Sequence, residues 1–407
     1  ALGNGLTGVF LQDTDDTIVA NNVVSGNSEW GIVHVDTAPA VPLVPAQIIR
    51  NVVGMNATGS AGLGNTFSGI ALQEVAGTTV ADNLVSNNGQ AGIALFRGTR
   101  TASVVRNIVG ADTTGTLAFG NGNEGIFLFD ARDNAIGDGS AAGGNRILFN
   151  GLQGVAVAET AANLARGNVV SGNEIRANSA LGIDLFAGGV AGVTANDPLD
   201  PDNGPNGLQN FPIVDMAEVG LVETLISGRL HSKTGTAYDV ELFSNRTAGC
   251  DPSNHGEGQV LLERLGVVTD AAGNAPIVTA VTGVALGDPI TATATNAEGT
   301  SEFSMCRAAV PCATLMAFPE SIVGSAFDSV DWLVPTDVAY AIFTLNALPA
   351  FAVSESGVLF NATSVALSGV NPAPGTGFGV LVREWGCGSW QTTIGAEPNR
   401  DSTLIAP

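Results

Sequence analysis

One short motif occurs seven times in the first half of the chain: an Asn, three further residues, a Gly followed by Ile or Val, and an alternating apolar run. The seven glycines are Gly8, Gly31, Gly69, Gly92, Gly125, Gly154 and Gly182. The Asn residues four positions before them are Asn4, Asn27, Asn65, Asn88, Asn121, Asn150 and Asn178. Such repetition predicts a solenoid, in which each repeat packs only on its neighbours.

The apolar residues after each Gly identify the type of solenoid. They recur at every second position, as in V-F-L and I-A-L, which is the period of a β-strand and not of a helix. Successive glycines lie 23, 38, 23, 33, 29 and 28 residues apart. Two nine-residue insertions, 57–65 and 113–121, leave the motif in register, as loops would. We therefore predict an all-β chain that begins with a right-handed parallel β-helix of about seven coils.

Asn residues mark the corners of these coils. Besides the Asn before each Gly, most repeats carry an N-x-[I/V/L]-x-x-[N/D] element, such as Asn51 to Asn56 or Asn83 to Asn88. Asn tolerates tight corners, and its amide can bond the coil above and below. We expect internal ladders of Asn side chains that satisfy corner backbone groups.

The motif stops after Leu185, and the second half follows a different pattern. A turn-rich segment at 196–212 precedes strands that recur at intervals of about ten residues, as in antiparallel sandwiches. The predicted organisation is a β-helix at 1–195, a cap or linker at 196–212, a β-sandwich at 213–309 and a second, fibronectin-like β-sandwich at 310–407.

All four cysteines lie in the predicted sandwiches: Cys250, Cys306, Cys312 and Cys387. An even number suggests two disulfides formed in an oxidising compartment. The pairs Cys250–Cys306 and Cys312–Cys387 keep each bridge within one domain. Free buried thiols are the alternative.

Several segments resemble a known group of proteins. The repeats, the loop from Met55 to Gly59, and the exit from Gly182 to Leu185 continuing to 212 resemble the right-handed parallel β-helix repeat proteins that bacteria secrete or display. Residues 250–259 and 290–306 resemble the sandwich module that often follows in that group. The resemblance implies an extracellular or cell-surface location. Members are mostly uncharacterised, so it implies architecture more than activity.

Charge and hydropathy exclude some partners. The net charge is −23 and Lys233 is the single lysine, so the chain is poorly suited to nucleic acid or anionic membranes. No apolar run is long enough to span a bilayer. Because Ala1 falls inside a repeat, we also expect an upstream segment.

The residues offer little catalytic chemistry. At the outward strand position after each Gly stand Phe10, Val33, Ala71, Ala94, Phe127, Ala156 and Asp184. One carboxylate among seven is not an acid/base pair. His34 is at an inward position and is expected to pack in the core. Arg97, Arg100 and Arg106 are either a clamp for sugar acids or solvated turn residues. We therefore predict that the chain is not an enzyme and has no catalytic residues or organic cofactor.

One metal site is predicted in the segment after the last coil. Five oxygen-bearing side chains occur there within ten residues: Asp197, Asp200, Asp202, Asn203 and Asn206. Hard oxygen ligands on a tight loop suit Ca²⁺. A polar interdomain turn without an ion is the alternative.

These observations favour an extracellular structural or adhesive surface protein, a rigid rod that bears two sandwich modules. The alternative is a polysaccharide-active enzyme or a glycan-binding protein on the same scaffold. Partners would be surface glycans or further copies of the chain. The first coil lacks a polar cap, which invites end-to-end or lateral assembly into a filament. A capped monomer is the competing interpretation. The predicted assembly surface consists of Leu2, Leu6, Val9, Phe10, Val33 and Phe127.

Overall fold

The computed structural model describes residues 3–14, 16–37, 45–161, 163–220, 223–247, 249–311, 329–344, 352–366 and 378–384, the last three ranges as backbone only. The described part confirms the predicted all-β class and the parallel β-helix. It divides into two compact units, one formed by 1–215, 227–277 and 287–308 and the other by 216–226, 278–286 and 309–407. The predicted domain boundaries remain predictions.

Three parallel sheets form the β-helix. Sheet A has seven strands, one following each repeated Gly: β1 Val9–Gln12, β4 Ile32–Val35, β7 Ile70–Gln73, β10 Ile93–Phe96, β13 Ile126–Phe129, β16 Val155–Ala158 and β19 Ile183–Leu185. Sheet B contains β2 Ile18–Ala20, β5 Gln47–Ile49, β8 Thr79–Ala81, β11 Ser103–Val105, β14 Ala135–Ile136 and β17 Val169–Val170. Sheet C contains β3 Val23–Val24, β6 Val52–Val53, β9 Leu84–Val85, β12 Ile108–Val109, β15 Arg146–Leu148 and β18 Glu174–Arg176.

Like residues stack inside the helix because the strands pair in register. Ile70, Ile93 and Ile126 lie beside one another in adjacent strands, and all three are fully buried. His34 occupies an inward position between Leu11 and Leu72. It is buried and its Nδ1 lies 3.2 Å from the Thr78 hydroxyl. The core is thus a column of aliphatic side chains into which His34 fits as a packed residue.

The repeated Gly is required by close packing. A Cβ atom at Gly92 would lie 2.5 Å from the Val109 side chain and 2.7 Å from both the Asn121 amide and the Gly125 carbonyl oxygen. These distances are far below van der Waals contact. The motif therefore needs Gly at this position, where the backbone of each coil packs against the ladder Asn of the next coil.

Asn side chains form three internal ladders. In the first ladder, the amide of each Asn donates to the Oδ1 of the next at 2.7–3.0 Å, along Asn27, Asn65, Asn88, Asn121, Asn150 and Asn178. The second ladder runs through Asn22, Asn51, Asn83, Asn107, Asn145 and Asn173 at 2.9–3.1 Å. A third, shorter ladder joins Asn134, Asn168 and Asn206. Buried corner donors are satisfied in this way, as expected from the sequence.

A 3₁₀ turn, Pro205–Leu208, and antiparallel strands follow the β-helix. One sheet has the order β23-β22-β25-β26 with β27 beside β25, and another has the order β24-β21-β20-β28. Their bounds are β20 Ile213–Val219, β21 Thr224–His231, β22 Ala237–Ser244, β23 Val260–Val268, β24 Asn274–Val281, β25 Pro289–Asn296, β26 Gly299–Thr300, β27 Arg307–Ala308 and β28 Val310–Pro311. A three-stranded antiparallel sheet then has the order β30-β29-β31, with β29 Ser329–Thr344, β30 Ala352–Ala366 and β31 Phe378–Glu384.

Side chains from the second half close the last coil. The Glu257 carboxylate accepts hydrogen bonds from the backbone N–H groups of Ala177 and Asn178, at 2.6 and 3.0 Å. Glu241 accepts from the Ser171 hydroxyl and the Gly172 N–H. Phe243 and Phe303 pack against the core. All of these residues belong to the first compact unit, whose β-helix therefore has no bare end at this side.

Candidate functional site

The outer face of sheet A carries a concave surface. Each strand directs two alternate side chains outward. The first outward row is the one inferred from the sequence, from Phe10 to Asp184, since these positions are in register across the sheet. A second outward row lies two residues further along each strand: Gln12, Val35, Gln73, Phe96, Phe129 and Ala158.

A groove of about 670 Å³ lies on this face. Its lining is Phe10, Gln12, Trp30, Val33, Val35, Thr37, Ala71, Gln73, Phe96, Arg97, Phe127 and Phe129. The buried side chains Val33, Val35 and Ala71 form its floor. The groove crosses five neighbouring strands, which at the usual strand spacing corresponds to about 19 Å. We call it the sheet A groove.

Aromatic rings form one wall of the sheet A groove. The ring centroids of Phe96 and Phe127 lie 6.1 Å apart with the rings nearly perpendicular, and those of Phe127 and Phe129 lie 5.8 Å apart. Trp30 is held by an edge contact with Phe67 at 4.8 Å. These contacts fix the orientation of the rings, so the wall is largely preformed.

Polar groups are confined to the rim. Gln12, Thr37, Gln73 and Arg97 contribute hydrogen-bonding groups to a lining that contains no carboxylate among the described residues. Arg97 also lines an adjoining cavity of about 550 Å³ together with Asp130, Arg132 and Asn163. In the described part of the chain, the Arg97 side chain makes no hydrogen bond and no ion pair. Among the described residues, the rim therefore presents a guanidinium without an ion pair to the groove.

The two other arginines of the predicted clamp lie elsewhere. Arg106 forms an ion pair with Asp82 at 2.8 Å, and Arg100 is bridged through its backbone to Arg132. Arg132 lines the same cavity as Arg97, although it is 35 positions away in the sequence. The sequence alone gives no signal that these two arginines line one cavity, because their proximity depends on how two coils stack.

Asp184, the one outward carboxylate, lies outside the groove. It is fully buried and accepts hydrogen bonds from the Gln153 amide at 2.9 Å and from the Gly192 N–H. Burial raises the pKa of its carboxyl to about 6, against these two hydrogen bonds, which lower it. The residue therefore has a structural position at the last coil.

The predicted metal ligands separate into two groups. Ligand oxygens of Asp197, Asp200 and Asp202 lie within 4.8 Å of one another. Asn203 instead accepts a hydrogen bond from Arg166 at 2.9 Å, and Asn206 is the last residue of the third ladder. The side-chain oxygens of Asn203 and Asn206 thus accept hydrogen bonds from Arg166 and from the Asn168 N–H, and a site made of all five residues remains a prediction.

The predicted assembly residues are distributed over two places. Leu6 is 67% exposed and Phe10 57% exposed, near the first strand, and Val9 is partly buried there. Val33 and Phe127 line the sheet A groove. Leu2 lies outside the described residues. Assembly remains a prediction.

A disulfide joins Cys250 and Cys306, as predicted from the sequence. Cys312 and Cys387 lie outside the described residues, so their pairing remains a prediction. Within the described part, no helix has the length and apolar character needed to cross a membrane.

Comparisons with known proteins concern the β-helix. A family model described as "Periplasmic copper-binding protein (NosD)" matches residues 1–114, just over a quarter of the chain. No protein of curated function matches. The crystal structure of the periplasmic alginate epimerase AlgG is similar, with a TM-score of 0.33 and 19% identity over 44% of either chain. Two variants of that enzyme match with TM-scores of 0.33 and 0.32 at 20% and 19% identity, again over 44% of either chain. The chain thus spans less than half the length of the solved structures that it matches.

The prediction that the chain is not an enzyme is corrected, because the argument from the residues behind it was incomplete. The prediction considered only the first outward row of sheet A. The sheet A groove is formed equally by the second row and by the residues flanking the strands, among them Trp30 and Arg97. Absence of an acid/base pair in one row therefore does not exclude catalysis.

Proposed function

We propose that the chain binds an acidic polysaccharide in the sheet A groove, as part of a polysaccharide-active protein. The observation that carries this proposal is the combination of an aromatic wall with the rim residue Arg97, which has no ion pair among the described residues. Sugar rings have apolar C–H faces that pack on aromatic rings, while their hydroxyl groups need hydrogen-bonding partners. The aromatic rings are those of Phe96, Phe127 and Phe129. The hydrogen-bonding partners are the side chains of Gln12 and Gln73.

The charge of the rim favours a sugar acid over a neutral sugar. A guanidinium binds a carboxylate through two parallel hydrogen bonds, and such charge-assisted bonds are stronger than neutral ones. Arg97 is placed to receive a uronate carboxylate from a chain lying across the strands, and Arg132 lies in the adjoining cavity. The length of the groove suits several consecutive sugar units rather than one.

Neutralising a uronate carboxylate also acidifies the neighbouring C–H bond, which is the first requirement of epimerisation and of β-elimination. Arg97 would supply this effect. We assign no base, because the described lining contains no carboxylate or histidine.

Copper binding is not part of the proposal. Residues 1–114 contain His34 and Met55 but no cysteine, and both side chains are buried within the helix. The single cluster of potential metal ligands in the described chain consists of three carboxylates, which are hard ligands unsuited to copper. For location, the Cys250–Cys306 disulfide supports a secreted or periplasmic protein.

The test is calorimetric titration of the full chain with oligosaccharides of alginate, polygalacturonate and a neutral glucan. We expect an acidic oligosaccharide to bind, and Phe127→Ala to weaken binding at least tenfold. Arg97→Ala should remove the preference for acidic over neutral sugars. Phe119→Ala and Arg106→Ala are matched controls outside the groove and should bind as the unmodified chain does.

Chemistry is followed on the same polymers by NMR of the sugar composition and by absorbance of unsaturated ends. Turnover that is lost in Arg97→Ala would support a polysaccharide-active enzyme. A polymer that is bound but unchanged would reject the catalytic part of the proposal. Absence of binding to every sugar, or equal binding by the groove variants, would reject the whole.

A further inference from the structure

The segment 196–203 leaves the last coil in a tightly fixed conformation. The Asn196 amide donates to the Phe211 carbonyl, and the Phe211 N–H donates back to Asn196 Oδ1, at 2.8 and 2.9 Å. Asn210 bonds both the N–H and the carbonyl of Asp197. Leu199 and Asp200 both have left-handed backbone angles, with φ of 66° and 54°. This conformation brings three carboxylates together.

The three carboxylates, Asp197, Asp200 and Asp202, face one another with ligand oxygens within 4.8 Å. Asp200 is fully buried, and the other two are partly buried. Like charges at this distance repel strongly away from water, so the cluster is unfavourable without a positive charge in it.

Hydrogen bonds inside the protein account for only part of the cluster. Asp200 Oδ2 accepts from the Ser232 hydroxyl at 2.6 Å. The Oδ1 atoms of Asp197, Asp200 and Asp202 are buried and have no hydrogen-bonding partner among the described residues. A buried acceptor of this kind is costly, and three in one place indicate a missing ligand.

No side chain of the described protein neutralises the cluster directly. Lys233 acts on Asp200 and Asp202 electrostatically. Its ammonium, however, is bound to Glu298, which also pairs with Arg166 at 3.3 Å. None of the ion pairs within the described ranges includes Asp197, Asp200 or Asp202.

We propose that Asp197, Asp200 and Asp202 bind a Ca²⁺ ion through their three unpartnered oxygens. The donor set is entirely carboxylate, which selects a hard cation over zinc or copper. Ca²⁺ accepts irregular arrangements of six to eight oxygen ligands, completed by carbonyl groups or water, whereas Mg²⁺ demands a near-ideal octahedron. The ion holds the three carboxylates of the segment together, and Asp200 in turn binds Ser232, directly after β21. The ion therefore strengthens the closed end of the β-helix.

The experiment uses the full chain after removal of metal with a chelator. Calorimetric titration at pH 7.5 should show one Ca²⁺ bound per chain, and the melting temperature should rise by several degrees in Ca²⁺ relative to EGTA. Mg²⁺ should bind at least tenfold more weakly. Asp200→Asn and Asp202→Asn should each weaken Ca²⁺ binding at least tenfold.

The matched control is Asp133→Asn, which changes an exposed Asp that also has a left-handed backbone and should leave Ca²⁺ binding unchanged. Circular dichroism verifies folding, and the partly exposed Asp202 provides a usable variant if Asp200→Asn does not fold. The proposal is overturned if the unmodified chain binds no Ca²⁺ at millimolar concentration, if Mg²⁺ binds equally well, or if the folded variants retain full affinity.

Discussion

Glu302 accepts a hydrogen bond from the backbone N–H of Leu185 at 3.0 Å, across a sequence separation of 117. Leu185 ends the last strand of sheet A, whose outer edge has no further coil to pair with. The other carboxylate oxygen of Glu302 accepts from the Thr194 N–H at 2.9 Å. The last coil is thus bound by a glutamate at each of its three sides. Glu302 binds it at the strand of sheet A, Glu257 just after the strand of sheet C, and Glu241 just after the strand of sheet B. A solenoid edge that would otherwise offer free N–H groups is closed by acids from a distant segment.

This closure predicts an unusual dependence of stability on pH. Burial raises the pKa of the Glu302 carboxyl from 4.5 to about 8. The folded chain therefore binds more protons than the unfolded chain between these values, so the free energy of unfolding should fall as the pH rises from 5 to 8. Urea denaturation at a series of pH values measures this change in the free energy of unfolding.

Glu302→Gln should remove most of the decrease between pH 6 and 8, because it removes the titrating group while keeping one acceptor oxygen. The exposed Glu223→Gln is the control and should follow the unmodified chain. Stability that is constant or rises over this interval would contradict the assignment.

The Asn ladders predict a strong dependence on position. Asn107 is buried and donates to Asn145 Oδ1 and to the Val80 carbonyl, both at 2.9 Å. Asn107→Ala also removes the acceptor of the Asn83 backbone N–H and one acceptor of the Asn83 side-chain amide, and should cost about 3 kcal/mol in the free energy of unfolding. Asn22→Ala changes the exposed first member of the same ladder and should cost less than about 1 kcal/mol. Equal losses in the two variants would show that burial does not decide the contribution.

The repeated Gly predicts a steric effect. Gly92→Ala places a methyl group against Val109, Asn121 and the Gly125 carbonyl oxygen, and should destabilise the chain by about 3 kcal/mol. Gly266→Ala is the control, since a Cβ there meets nothing within 4 Å. Chemical denaturation compares the two, and a small loss at Gly92 would mean that adjacent coils move apart readily.

The Cys250–Cys306 disulfide predicts a loss of stability on its removal. It closes a loop with a sequence separation of 56, which by the chain-entropy model contributes about 4 kcal/mol. The double variant Cys250→Ser with Cys306→Ser should melt several degrees lower in calorimetry. Non-reducing peptide mapping checks the same bridge and also tests the predicted Cys312–Cys387 pair. A Cys306–Cys312 link would contradict both.

Local periodicity explains which parts of the fold were predictable. The repeated motif places an Asn four residues before each Gly, as at Gly92 and Asn121 in their own repeats. This fixed spacing predicts both the strands of sheet A and the first Asn ladder. The closure by Glu241, Glu257 and Glu302 has no such signal, because it depends on contacts between segments distant in the sequence. Nothing in the pattern around these acids distinguishes them from solvated ones.

The candidate sites show the same division. The outward positions Phe10, Val33 and Phe127 follow from strand alternation, and they do line the groove. Trp30 was not predictable as its lining because it precedes a strand, whereas Arg97 was one of three candidates for a sugar-acid clamp. In the acidic segment, oxygen count suggested five ligands, whereas the structure uses Asn203 and Asn206 in hydrogen bonds to neighbouring coils.

Every coil presents the same Asn and Gly geometry to the next, and this has a consequence for how such a chain can evolve. Duplication or loss of a whole internal coil leaves both neighbours with an unchanged contact surface. Each added coil would lengthen the sheet A groove by ~4.8 Å while the closing acids stay at the end. The length of the groove is thus set by a count of repeats, and its surface chemistry by the few side chains that each repeat turns outward.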